Sequence, residues 1–298
     1  MILERSLTFR LPLMTGADIR AAQLALIRHG ALRGEADGVY GPATRDAVLG
    51  FQRRQGLAAD GVIGPESWAR LMGEPGLSRE RPWREALLPF LPPLREWHAA
   101  RGARRWRLSA EGITFEGEAA PRRNEPPRIA AACWARHRAA LEAAAMRFAV
   151  PVELLLATAC TESGGRADAV REEPGFTSDA ATPHRVSPGL MQTLISSARE
   201  ALGDPKLDRA RLLDAGLSAL AGAAFIARQV RVTRFDPPLV AIAYNAGSLR
   251  PAQNPWGLVQ TRRGDGSFHA DSFCAFFNDT LTLDAPADGV PSFRGVLA

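Results

Sequence analysis

The segment LLLATACTESGG, residues 154–165, sets one carboxylate, Glu162, at the end of a mostly apolar run and just before two glycines. Pro151 suits a first helical turn, and Gly164-Gly165 suits a helix end, so the spacing predicts a largely buried helix with Glu162 in its last turn. A helix C-terminus carries partial negative charge, and burial removes solvent; both disfavour a second negative charge. A carboxyl held toward its protonated form can give a proton to a leaving oxygen, general acid–base work that contributes about 10²–10⁴-fold in rate. From this stretch alone, a carboxylate pointing into solvent at a frayed helix end is an equal reading. Two later stretches add polar groups beside glycines. SPGLMQTL, residues 187–194, offers Ser187, Met191 and Gln192, the last both a donor and an acceptor. AIAYNAG, residues 241–247, ends an apolar helix with Tyr244 and Asn245. Candidates for a second carboxyl are Asp168, Glu172, Glu173 and Asp179, none in a distinctive motif.

Glu-Ser, then Gly-Leu-Met-Gln, then Ala-Tyr-Asn-Ala-Gly, in that order, resemble the soluble lytic transglycosylase and goose-type lysozyme superfamily over about residues 137–282. The resemblance implies a lysozyme-like α-helical domain with a cleft for a glycan strand. It implies that Glu162 is the general acid and then the base, that Tyr244 positions it, and that Ser163 holds its neighbourhood. It implies that Gln192, Asn245 and Ser187 contact sugars or support the cleft floor, and that Met191 packs under the saccharide. With no evident acidic pair, the favoured product is a 1,6-anhydro-MurNAc end, formed when the sugar's own 6-hydroxyl attacks with high effective molarity. The alternatives are a muramidase, that is a lysozyme-type hydrolase acting as an endolysin, and a non-catalytic wall-anchoring or virion structural protein.

The elements upstream carry an internal repeat. DGVYGPATRDAV, residues 37–48, is echoed by DGVIGPESWARL, residues 60–71. Asp-Gly supplies a tight turn and Gly-Pro opens a helix. Before the first copy, GADIRAAQLALIRHG predicts a helix with Ile19, Leu24 and Ile27 on its buried face; between the copies, Val48, Phe51 and Leu57 suit a second short helix. The block Leu13 to Met72 resembles the bacterial peptidoglycan-binding domain, a three-helix module. Asp37, Gly38, Tyr40, Asp60, Gly61 and Trp68 are its candidate wall-binding residues.

The expected fold class is mainly α: a three-helix wall-binding domain over 1–73, a joining segment over 74–136, and a lysozyme-like domain over 137–298. GEPGLSRERPW reads as a linker, LLPFLPPLREW as too proline-rich for a regular helix, and WRLSAEGITFEG as a small β-hairpin turning at Glu111-Gly112. An Ala-rich helix is predicted over 129–148. Trp83, Trp97, Trp106 and Trp134 suit either core or sugar stacking. Trp256 and His269 are candidate subsite residues, with local packing and simple exposure as the alternatives.

The net charge of +5 is concentrated in residues 76–145, which hold 13 basic against 8 acidic side chains. Such a patch suits an anionic wall. It lacks any recognisable nucleic-acid module, so nucleic acid is not an expected partner. Peptidoglycan glycan strands are, and the chain is expected to act as a monomer. Three cysteines make a poor disulfide framework and read as buried thiols. No metal or organic cofactor is called for. MILERSLTFRLPLM does not read as a secretory signal, and no stretch suits stable membrane insertion. The expectation is synthesis in the cytoplasm and action on the wall after phage-type release or injection.

Overall fold

The computed structural model describes residues 3, 5–55, 57, 59–72 and 82–297. The linker read over 73–83, and with it the boundary at 73/74, lies almost wholly outside the described residues. Two compact units emerge, residues 1–82 and 83–298. Both are mainly helical, with only two-stranded sheets among the described residues. No helix among the described residues is long and apolar enough to cross a membrane.

The first unit contains α1 (Ala17–Arg28), α2 (Pro42–Gln55) and α3 (Pro65–Met72), with strand β1 (Leu7–Thr8) antiparallel to β2 (Val62–Ile63). Helices α2 and α3 each begin at the proline of a Gly-Pro pair, where the missing N–H costs nothing. The preceding Asp-Gly turns are locked by two buried glutamines. Gln23 Nε2 donates to Asp37 Oδ1 at 2.7 Å, to the Val39 carbonyl and to Thr44 Oγ1, while its Oε1 accepts from Gly38 N. Gln52 repeats the pattern with Asp60, Val62, Ser67 and Gly61 N. Gly38 and Gly61 sit at φ +75° and +71°, where a Cβ is strained, which explains the repeated glycine.

The six wall-binding candidates lie in the turns and the core of this module. Tyr40 is fully buried, its hydroxyl donating to the Gly61 carbonyl at 3.0 Å, and Trp68 is buried in the same core. Asp37, Gly38, Asp60 and Gly61 are occupied in the turns. All six residues build the module; neither aromatic presents a face to a ligand. On α1 the buried face runs through Ile19, Ala22, Gln23, Ala25 and Leu26, while Leu24 is exposed.

The second unit opens within α4 (Pro82–Leu87), followed by a 3₁₀ turn at 88–90 and α5 (Leu91–Arg95). The prolines expected to exclude helix here occupy the first turns, where they are tolerated. The hairpin β3 (Trp106–Ser109) and β4 (Gly112–Phe115) follows, with Trp106 opposite Phe115 and Leu108 opposite Ile113, all four buried. Next come α6 (Arg128–Phe148), α7 (Val152–Ser163), the hairpin strands β5 (Val170–Glu172) and β6 (Val186–Pro188), α8 (Ile195–Leu202), α9 (Arg209–Leu212), α10 (Ala215–Arg228), α11 (Val230–Thr233), α12 (Pro237–Ala246), α13 (His269–Thr280) and α14 (Arg294–Leu297).

Helix α7 is buried all round from Val152 to Cys160 and lies in the core, packed by α6 and α13. Residues 83–136, set apart above as a joining segment, belong to this core through Trp83, Leu91, Trp106, Ile113 and Trp134. Asn278 of α13 pins the hairpin: its amide accepts from Ile113 N at 2.7 Å and donates to the carbonyls of Ile113 and Pro121. Much of the basic middle segment is satisfied internally. The Arg104 guanidinium lies 3.9 Å from the Phe115 ring centre and pairs with Glu118, Arg105 pairs with Glu116, and Arg107 stacks over Trp97. Trp83, Trp106, Trp134 and Trp256 are core residues. Cys133, Cys160 and Cys274 are buried free thiols.

Candidate active site

Helix α7 runs to Ser163 and stops at Gly164, which adopts φ +65° and closes the helix in the left-handed conformation. Glu162 therefore occupies the last turn, as the sequence predicts. Its side chain is 15% exposed and lines a cleft of about 340 Å³ together with Ser187, Gln192, Thr193, Tyr244 and Asn245. Oε1 lies 3.2 Å from His269 Nε2. Oε2 has no partner among the described residues.

Ser163 joins this helix end to the next motif. Its hydroxyl donates to the Leu190 carbonyl at 2.7 Å and accepts from Arg166 N. On its other side this turn packs tightly on the end of α9 because residue 189 is glycine: at φ +86°, a Cβ there would lie 2.0 Å from the Leu212 carbonyl oxygen. Gln192 takes a positive φ of +49°, uncommon for a residue with a Cβ and frequent at functional sites. Its amide nitrogen donates to the carbonyls of Ala169 and Gly189, both at 2.9 Å, and Ser187 Oγ lies 3.4 Å from its Oε1. Gln192 thus clamps the loop while still facing the cleft.

Met191 is fully buried, pressed against Gly222 of α10, so it lies beneath the cleft wall and does not meet a sugar directly. Its carbonyl accepts from Tyr244 Oη at 2.9 Å, and the same hydroxyl lies 2.6 Å from Thr193 Oγ1. Tyr244 makes no hydrogen bond to Glu162; it braces the Met191–Thr193 turn beside it. Burial pushes the Tyr244 phenol far up, the Thr193 hydrogen bond pulls it back, and the nearby Glu162 charge raises it again. Asn245 lines the cleft and accepts Thr261 N on its Oδ1 at 2.8 Å.

The four candidate second carboxyls separate. Asp179 and Glu172 are held by Arg209, at 2.7 Å and 2.8 Å, which ties down the loop after β5. Asp168 is exposed and does not line the cleft. Glu173 alone of the four lines it, 38% exposed and ion-paired with Arg171 at 3.0 Å. Sequence reasoning missed Thr193 and left His269 among the plausible exposed residues. The structure buries His269 against Glu162. Its only sequence signal is its place just ahead of the Phe273, Phe276, Phe277 helix pattern.

Residues 15–71 match the family model of a peptidoglycan binding domain, and residues 139–255 match that of a transglycosylase SLT domain. Among curated proteins, the chain is 42% identical over 66 residues to the N-acetylmuramoyl-L-alanine amidase CwlL of Bacillus licheniformis, covering 20% of this chain and 18% of that protein. It is 41% identical over 58 residues to an uncharacterized protein in the bpoA1 3′ region of Kitasatospora aureofaciens, covering 19% and 49%. The chain therefore spans half or less of the length of these relatives. A crystal structure of the Burkholderia AP3 phage endolysin aligns at 22% identity over 82% of this chain and 87% of that one, with a TM-score of 0.21, too low to carry an argument.

Proposed function

We propose that this chain, which joins a peptidoglycan-binding domain to a transglycosylase SLT domain, is a peptidoglycan lytic enzyme that cleaves the MurNAc-GlcNAc β-1,4 bond with Glu162 as acid and then base. The observation that carries this reading is the position of Glu162: the end of a buried helix, one oxygen against His269, the other unpartnered, on the wall of a cleft. The protonated carboxyl gives its proton to the bridging glycosidic oxygen as the C1–O bond breaks. The substrate's own N-acetyl group stabilises the positive centre. The carboxylate then takes the proton of the sugar's 6-hydroxyl, whose oxygen closes on C1. The result is a 1,6-anhydro-MurNAc end and a Glu162 returned to its acid form.

Cyclisation is favoured because two of the four candidate carboxyls are held by Arg209 and a third is outside the cleft. One observation favours the hydrolytic reading: Glu173 does line the cleft, and a second carboxylate able to activate water is what a muramidase needs. Mass spectrometry of digested sacculi separates the two. Cyclisation gives ends lighter by one water than the reducing ends of hydrolysis, and Glu173→Gln leaves such a product pattern and rate unchanged. Reducing ends, with activity lost in Glu173→Gln, select the muramidase. The N-terminal domain keeps the enzyme on its polymer and raises the local concentration of glycan at the cleft.

A further inference from the structure

We infer that His269 is a positioning residue for Glu162: its imidazole holds Oε1, so that the transferable proton sits on Oε2, facing the glycan. This rests on the acid–base reading of Glu162 and goes beyond it. Three observations support it. The Nε2–Oε1 distance is 3.2 Å, and both side chains are largely buried, at 8% and 15% exposure. Such a contact between ionisable groups, shielded from solvent, fixes orientation far better than an exposed pair.

The second observation is how firmly His269 is itself held. It is the first residue of α13, where side chains lean back over the helix start. Its own N–H donates to the Thr261 carbonyl at 3.0 Å, and Ala270 N donates to Gln260 Oε1 at 2.9 Å. Thr261 N in turn donates to Asn245 Oδ1. A chain of contacts therefore runs from Asn245 through Thr261 to His269 and on to Glu162. Asn245 acts in part by fixing the loop that delivers the imidazole.

The third observation is the lack of any other polar restraint. Apart from the His269 contact, Glu162 has no hydrogen bond or ion pair among the described residues, and Tyr244, the expected positioner, is engaged with Met191 and Thr193. Without His269 the carboxyl would be free to rotate about its last torsions, and a misplacement of about 1 Å can cost on the order of 10²-fold in rate. Other ionisable groups facing the imidazole and carboxyl are Tyr244 from α12, Arg171 and Glu173 from the β5 side, and His184 from the turn before β6. On α13 itself, Asp271 is bound to Trp256 Nε1 and Phe268 N.

The test is turnover of purified sacculi by the full chain as wild type, H269A, H269Q and E162Q, with kcat, KM and the pH profile of kcat/KM. H269A is expected to lower kcat about 10- to 100-fold with KM little changed. H269Q, which keeps an N–H donor but no ionisable ring, is expected to recover most of kcat and to give a pH profile different from that of the wild type. Wild-type kcat and pH profile in H269A overturn the inference, as does an H269Q that is folded yet as impaired as H269A. If H269A does not fold, the H269Q profile decides alone, and an unchanged profile overturns it. An inert E162Q beside a normal H269A removes only this inference; a fully active E162Q removes the acid–base reading beneath it.

Discussion

The two ends of helix α7 each carry a glutamate, and they are built in opposite ways. Glu153, in the first turn, is 3% exposed and closed on all sides: it accepts from the Ser292 hydroxyl and from the backbone N–H groups of Phe293, at 3.0 Å, and Arg294. A helix N-terminus favours negative charge, and the captured C-terminal segment supplies donors. Glu162, in the last turn, has the unfavourable end of the same helix, one imidazole and an open cleft. The first arrangement spends both oxygens on holding the chain together. The second leaves one oxygen for chemistry. A carboxylate's number of internal donors, more than its burial, separates the structural group from the reactive one.

The largest expected effect comes from exchanging the open carboxylate for its amide. Glu162→Gln should lower turnover of sacculi by about 10²–10⁴-fold, the usual contribution of a general acid, with its melting temperature unchanged. Glu153→Gln should do the reverse. It replaces one of the two accepting oxygens by an N–H donor, leaving at least one of the three donors unsatisfied, and should cost about 1–3 kcal/mol in a denaturant melt, the usual cost of an unpaired buried polar group, while the remaining folded enzyme keeps its kcat. Equal losses of activity in both variants, scaled to folded protein, would erase the contrast.

What could be read from the residues alone follows the same division. Local turn chemistry was legible: the Asp-Gly and Gly-Pro pairs and Gly164 announce their backbone conformations by residue type. So was the placement of Glu162 at a helix end, since periodicity and terminators act within a dozen residues. Buried polar partners were not. Gln23 and Gln52 lock both turns, yet a glutamine among apolar residues reads as a solvated position, and the buried face of α1 was accordingly assigned to exposed Leu24. His269 lies 107 residues after Glu162, and nothing local marks a contact that only the packing of α13 on α7 creates. Met191 and the wall-module aromatics show the same limit: a motif names residues without saying which way they face.

A third carboxylate sharpens the comparison with a smaller effect. Asp236, before α12, is 3% exposed and accepts from Trp106 Nε1 at 2.9 Å, with His98 Nε2 at 3.0 Å. Burial raises the Asp236 carboxyl against the pull of His98 and Trp106. For His98, burial alone would lower the imidazole, but the hydrogen bond and charge of Asp236 outweigh it, and the net shift is upward from 6.5. A histidine raised on folding adds stability that is complete below pH 6.5 and is lost as pH climbs through its higher folded-state value. The melting temperature should therefore fall as pH climbs through that window. In Asp236→Asn the amide oxygen still accepts from Trp106, but the charge holding His98 up is gone. Burial then dominates, and the slope should change sign, with stability rising as pH passes through 6.5. Like Glu153, Asp236 is closed by its partners, so kcat per folded molecule should not follow this titration; if it does, the line drawn here between closed and open carboxylates is in the wrong place.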